Sequence, residues 1–145
     1  MPVPLSCVPL LVLSIGAVAL MPNAAWPQSG FDCRHRVAKV PSASAEQWMQ
    51  EGRHQEILAR DLEYGGYADL AQGHHRCSMD AWRRAAEMGL APAQYGYARR
   101  LMIDKAPLTP ARIREAHYWL RLAAAADDEG AKTMLTWDVF RNLKE

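Results

Sequence analysis

Five side chains of this 145-residue chain have the types and spacing to do chemistry. They are Cys33 and His35 in "CRHR", and His74, His75 and Cys77 in "HHRC". Thiolate and imidazole are the usual ligands of zinc, so together they would make a mixed sulfur and nitrogen zinc site. The spacings, C-x-H and H-x-x-C, are looser than the paired C-x-x-C of zinc modules. Two cysteines in an exported domain most often pair, because the compartment is oxidising. A Cys33–Cys77 disulfide with solvent-facing histidines beside it is therefore the expectation. A link across about 45 residues would stabilise the fold by roughly 4 kcal/mol in the chain-entropy model. Cys77 with His74 or His75 as its base would be a thiol nucleophile, yet no local signature supports one and a disulfide would consume the thiol. His54 and His117 stand alone on helical segments and read as packing residues. No phosphate-binding glycine loop, paired-carboxylate constellation or G-x-S-x-G motif occurs. Nothing calls for a cofactor.

Export is inferred from positions 1–25, which read as a signal peptide. No charged side chain occurs from Met1 to Leu20, and "CVPLLVLSIGAVAL" is an apolar run of about 14 residues, the length of a signal core and short of the roughly 20 a membrane span needs. Pro22 and Asn23 break the run before the small Ala24 and Ala25, which suits cleavage at about 24 to 30. The n-region has no Lys or Arg, so the alternative is an uncleaved N-terminal anchor. After cleavage no stable membrane span is expected, and the mature chain would be periplasmic or secreted. With 17 Lys+Arg against 16 Asp+Glu, scattered and alternating, the chain lacks the one-sided positive charge of a nucleic-acid binder.

The elements that must position these residues are helical throughout. Residues 26–43 read as an extended lead-in, since Pro41 pushes Val40 out of helical geometry. Ser44 and Gln47 have capping-box form and open a helical domain over 44–145. Gly52 would cost about 1 kcal/mol inside a helix, so a turn is expected there at least as readily. "GGYADLAQGHHRC" reads as a last helical turn or a loop. Ser78 then caps a helix carrying Asp80 in its first turn, with Trp82, Ala85 and Ala86 on one face. Gly89 ends it as a left-handed cap residue, and Pro92 opens the next. "DKAPLT" is a loop, and Thr109-Pro110 starts a helix with Ile113, Ala116, Leu120, Ala123 and Ala124 as its stripe. Ala131, Met134, Leu135 and Val139 form the last stripe. Elements of about 10 to 16 residues in antiparallel pairs make the chain all-α.

Slid along itself, the sequence matches "AWRRAAEMGLAPAQ" to "WLRLAAAADDEGAK": Arg83 falls on Arg121, Ala85 and Ala86 on Ala123 and Ala124, Ala93 on Ala131. Fixed-period self-similarity of a helix pair is the mark of a solenoid. "AWRRAAEMGLAPAQYGYA" and "EAHYWLRLAAAADDEGA" resemble the Sel-one-like repeat, a relative of the tetratricopeptide repeat. Its units run an aromatic, Arg, a few residues, "AAE", a Gly, and "A-x-A-Q" opening the next helix. Trp82, Arg83, Ala85, Ala86, Glu87, Gly89, Ala91, Ala93 and Gln94 match it. The second copy keeps Trp119, Arg121, Leu122, Ala123, Ala124 and Ala131, but has Ala125 and Asp127 in place of the Glu and Gly. "MIDKAPLTPAR" replaces the family's glycine-rich loop. The likeness covers about residues 78–140, with a poorer echo in "EGRHQEILARDLEYGGYADL". It implies antiparallel helix–turn–helix repeats stacked as a short right-handed α-solenoid, and a non-catalytic scaffold binding other proteins along its concave face.

Solenoids normally need three or more units, and this chain offers about two good pairs. The helices from residue 44, the disulfide and the last helix would then act as caps. Trp82 and Trp119 fall at packing positions. Residues two apart on a helix point about 200° apart, so Tyr95 and Tyr97 cannot share one core face. If Tyr95 is buried, Tyr97, Arg100 and Asp104 lie on another face and are the candidates for touching a partner. The expected function is an exported, disulfide-linked scaffold binding a protein or peptide without catalysis. The alternatives are a small Cys/His zinc protein, and a cell-envelope enzyme for which the sequence offers no residues.

Overall fold

The computed structural model describes Cys33, residues 35–40, residues 42–141 and Leu143. The expected signal peptide and its cleavage region lie outside the described residues. Among the described residues every regular element is helical: a 3-10 turn at Arg36–Lys39, then α1 (Ala45–Tyr64), α2 (Ala68–Glu87), α3 (Ala91–Ile103), α4 (Pro110–Ala125), α5 (Glu129–Leu135) and α6 (Asp138–Arg141). The 3-10 turn stands inside the stretch expected to be extended, while Val40 itself is extended, as its neighbour Pro41 requires (φ −92°, ψ 113°).

Local side chains set where the helices begin. Ser44 Oγ accepts from the Gln47 N–H at 3.2 Å, and Gln47 Oε1 accepts from the Ser44 N–H at 2.8 Å, closing the capping box of α1. Thr109 caps α4 by accepting from the Arg112 N–H at 3.3 Å, and Asp128 caps α5 by accepting from the Ala131 N–H at 2.8 Å.

The ends repeat one device. After α2, Gly89 sits at φ 86°, its N–H bonded to Ala86 O at 2.9 Å and the Leu90 N–H to Ala85 O at 3.4 Å. After α4, Asp127 sits at φ 68°, its N–H bonded to Ala124 O at 3.0 Å and the Asp128 N–H to Ala123 O at 3.0 Å. Both are Schellman ends with a left-handed residue just past the helix. The offset from Gly89 to Asp127 equals that from Arg83 to Arg121, and the starts of the following helices, α3 and α5, keep it too. Asp127 therefore holds the conformation its sequence counterpart holds as glycine. Gly66, at φ 81°, closes α1 in the same way.

Two expected interruptions are absent. Helix α1 runs unbroken through Gly52, and α2 runs through Gly73 and Ser78, so both are 20 residues long. A Cβ on Gly52 would lie 2.5 Å from Trp82 Cδ1, and one on Gly96 would lie 2.5 Å from Trp82 Cζ3. The indole thus spans from α1 to α3, its two edges seated in the gaps the glycines leave. Burying about 200 Å² of indole contributes up to roughly 5 kcal/mol, well above the ~1 kcal/mol a helical glycine costs. Ser78 is buried in mid-helix rather than at a cap; its hydroxyl donates to Gly52 O at 2.9 Å, pinning α2 to α1.

Contacts run antiparallel along consecutive pairs: Gly52 with Ser78 and Gln55 with His74 between α1 and α2; Ala86 with Gln94 and Trp82 with Gly96 between α2 and α3; Leu101 O with Arg112 between α3 and α4. The core joins Trp48, Trp82, Tyr97, Trp119, Leu120 and Phe140 through a bed of alanines, with Ala85, Ala93, Ala123 and Ala131 fully enclosed. Those small residues let the backbones approach. Ala124 is half-buried against the same core. The last stripe is carried by two short helices, since Thr136 closes α5 and its hydroxyl turns back to Thr133 O at 2.7 Å.

Candidate functional site

The Cys/His group resolves into a disulfide and separate hydrogen bonds. Cys33 and Cys77 are joined, with Cα atoms 5.3 Å apart. Both sulfurs are thereby engaged, and among the described residues no group of three or more His, Cys, Asp or Glu is placed to hold a metal ion. His35 is buried rather than solvent-facing. Its Nε2–H donates to Asp80 Oδ2 at 2.9 Å, Nδ1 lies 3.7 Å from Glu51 Oε1, and its ring meets Trp48 edge-on at 5.3 Å. Glu51 accepts from Gln55 Nε2 at 2.7 Å, which turns Gln55 Oε1 toward His74 Nδ1 at 2.6 Å. That fixes Nδ1 of His74 as a proton carrier, and burial, with His54 and His75 nearby, lowers its pKa. The Asp80–His35 bond ties the start of the domain to α2, and the Glu51–Gln55–His74 bonds tie α1 to α2, with His35 Nδ1 near Glu51 but not hydrogen-bonded to it. With Cys77 in the disulfide, neither His74 nor His75 has its thiol to activate.

The three residues expected on a partner face separate. Tyr97 is buried: its hydroxyl donates to Glu115 Oε1 at 2.9 Å and its ring meets Trp119 edge-on at 5.9 Å. Burial first, then the Glu115 hydrogen bond, pushes its pKa up. Tyr95 and Tyr97 point apart as expected, but both are packed, because α3 is covered on more than one side. Tyr97 faces α4, while Tyr95 packs over Gly130 at the start of α5, where a Cβ would lie 2.8 Å from its ring.

Arg100 and Asp104 do line a cleft, between α1, α2 and α3. The Arg100 guanidinium lies 3.9 Å over the Trp82 ring, pairs with Glu56, and donates to Gly96 O at 2.9 Å. Its side chain is 16% exposed, so one edge reaches the cleft. Burial lowers its pKa and the bond to Glu56 opposes that shift. Asp104 is held by Arg112 at 3.5 Å. Across the cleft, Glu63 accepts from Lys105 Nζ at 2.7 Å and from His75 Nε2 at 3.2 Å, and these bonds lower its pKa.

Met79 forms apolar lining and Ile103, 59% exposed, stands at the rim. The cavity is about 180 Å³ and shares Glu63, His75, Met79, Asp104 and Lys105 with an adjoining groove of about 730 Å³. The smaller cavity is below the roughly 300–1,000 Å³ of small-molecule sites and suits one apolar side chain of a longer ligand. Sequence reasoning did not single out Glu56, Glu63, Met79, Ile103 or Lys105, and it weighed His75 only as a metal ligand or a base. Their signal was helical spacing (56/63, 75/79, 100/103/104), of which the 75/79 pair is visible only once α2 is taken as a single helix from Ala68.

These features define an all-helical domain with a mixed-charge cleft among its first three helices. No family model, curated protein or solved structure matches the chain.

Proposed function

We propose that this chain is an exported, non-catalytic helical-repeat scaffold that binds a protein or peptide, with the cleft of α1, α2 and α3 as its binding surface. The observation that carries the reading is Arg100, fixed by Trp82, Glu56 and Gly96 beside an apolar lining of Met79 and an exposed Ile103. A cation whose geometry is set in advance loses little entropy on binding, and Arg beside an apolar anchor is typical of interface hot spots. The two matching joints, at Gly89 and Asp127, favour a repeat architecture of short right-handed solenoid type. The Cys33–Cys77 pair fits an oxidising compartment, and among the described residues no helix is long and apolar enough to cross a membrane.

The test compares the wild-type protein with Ile103→Asp and Lys105→Glu as baits against envelope proteins. Both positions are exposed, so helicity by circular dichroism should be unchanged. The expected result is a partner retained by the wild type and lost with Ile103→Asp. Equal retention by all three baits would exclude the cleft as the binding surface.

A further inference from the structure

Between Cys33 and α1 the chain forms a strap laid against α1 and α2 and held by three side chains. Cys33 is bonded to Cys77 in the middle of α2, His35 donates to Asp80 and meets the Trp48 ring, and Val37 is buried against the core. Its backbone adds no hold. The hydrogen bonds of its 3-10 turn close within it: His35 N–H to Cys33 O at 2.8 Å, Ala38 N–H to His35 O at 3.1 Å and Val40 N–H to Val37 O at 2.9 Å. Among the described residues no backbone group of the strap bonds to a helix backbone.

The seat beneath it is imperfect. His35 Nδ1 is buried without a hydrogen-bond partner, 3.7 Å from Glu51 Oε1, a desolvation cost that release would remove. Ser42, where the strap turns into α1, stands at φ 59°, a conformation disfavoured for a residue with a Cβ. Ala38, Lys39 and Val40 are exposed. A groove of about 430 Å³ runs between Val37 and Val40 on the strap and Glu46, Gln47 and Gln50 on α1, so the strap meets α1 along one edge only. Without the disulfide, two side chains would have to offset the entropy of ordering residues 35–40. The two cysteines also differ in access. Cys33 is half-buried and Cys77 is 1% exposed, so a thiolate arriving from solvent meets Cys33 first.

We infer that the Cys33–Cys77 bond is a latch opened by an external dithiol, and that opening it frees the strap while the helices stay folded. A thiolate of the dithiol attacks Cys33 Sγ, the S–S bond breaks, and Cys77 leaves as a thiolate that takes up a proton. The second thiol of the dithiol attacks the mixed disulfide, releasing Cys33 as a thiol and the reductant as its own disulfide. Two electrons pass to the protein, and the two protons the dithiol loses end on Cys33 and Cys77. Departure of the strap uncovers a defined patch. Trp48 lies there with the Arg84 guanidinium 4.7 Å from its ring, and Glu51 and Asp80 flank the place of His35.

The test uses the protein as recovered from expressing cells, with trypsin reporting on the strap and circular dichroism on the helices. Cutting after Lys39 requires the residues around it to leave the surface. Dithiothreitol should raise the rate of that cut at least about tenfold and keep the helical signal within about a tenth of its oxidised value. Cys33→Ser, which keeps His35 and Val37, should be cut like the reduced protein. His35→Ala, which keeps the disulfide, should be cut within about threefold of the wild-type rate.

Equal cutting of the oxidised and reduced protein overturns the inference. So does a helical signal that collapses on reduction or in Cys33→Ser, since the bond is then a staple of the whole domain. A bond that dithiothreitol leaves closed under native conditions, read from the mass after alkylation, overturns it too. Fast cutting of His35→Ala with the disulfide intact would put the hold at His35 and is equally fatal.

Discussion

The seating of Trp82 between two helical glycines makes Gly96→Ala a discriminating perturbation. On an exposed helix this change stabilises by about 1 kcal/mol. Here the new Cβ would lie 2.5 Å from Trp82 Cζ3 and 2.9 Å from Cε3. Carbon atoms rest about 3.5–4.0 Å apart, so the ring would have to retreat by about 1 Å. The opposite edge of the indole already fills the gap at Gly52, and Arg100 lies over the ring face. Overpacking a core costs about 1–3 kcal/mol, and a rigid ring confined at both edges belongs at the upper end. The net expectation is a loss of about 2 kcal/mol, or on the order of 8 °C in Tm for a domain of this size. Urea unfolding followed by circular dichroism measures it. In a Trp82→Leu background the same change should be neutral or stabilising by up to about 1 kcal/mol, because the edge it strikes is gone. A rise in Tm on Gly96→Ala with Trp82 in place, or the same loss in both backgrounds, would refute the seating.

Other outcomes follow from single contacts. Reducing the Cys33–Cys77 bond, which closes a separation of 44 residues, should lower stability by about 4 kcal/mol, seen as the difference between melts with and without reductant. Ser78→Ala removes the buried hydroxyl that donates to Gly52 O and should cost about 1 kcal/mol in urea unfolding, whereas a true helix N-cap would leave α2 fraying at residue 78 in hydrogen exchange. Gly89→Ala meets no atom within 4 Å of its new Cβ, so its cost of about 1–2 kcal/mol is the left-handed conformation alone and should leave near-ultraviolet dichroism unchanged. The raised pKa of Tyr97 means that folding holds its proton more tightly than the unfolded chain does. Its contribution is therefore complete below pH 10.0, the ordinary value, and is lost as pH rises beyond it. Tyr97→Phe should flatten the alkaline limb of a stability–pH curve.

Local sequence was enough for the helical class, the starts at Ser44 and Thr109 and the left-handed end at Gly89; the left-handed conformation of Asp127, where the glycine is lost, came only from the structure. Caps and turns are settled by bonds within about six residues, so no distant partner is needed to specify them. Whether Gly52 and Gly73 break a helix is a different kind of question, answered by packing. Their cost of about 1 kcal/mol each is outweighed when a distant group fills the space, as Trp82 does over Gly52. The same dependence on distant partners explains Tyr97 and His35. Helical geometry separates Tyr97 from Tyr95, but it cannot say that α4 and α5 cover both sides of α3. Nor can the "CRHR" spacing say that His35 turns inward to Asp80 and Glu51. For the cleft, Arg100 and Asp104 were legible as one helical edge. Glu56, Glu63 and His75 join them only because α1 and α2 fold beside α3, bringing residues about 40 positions apart in sequence into one rim.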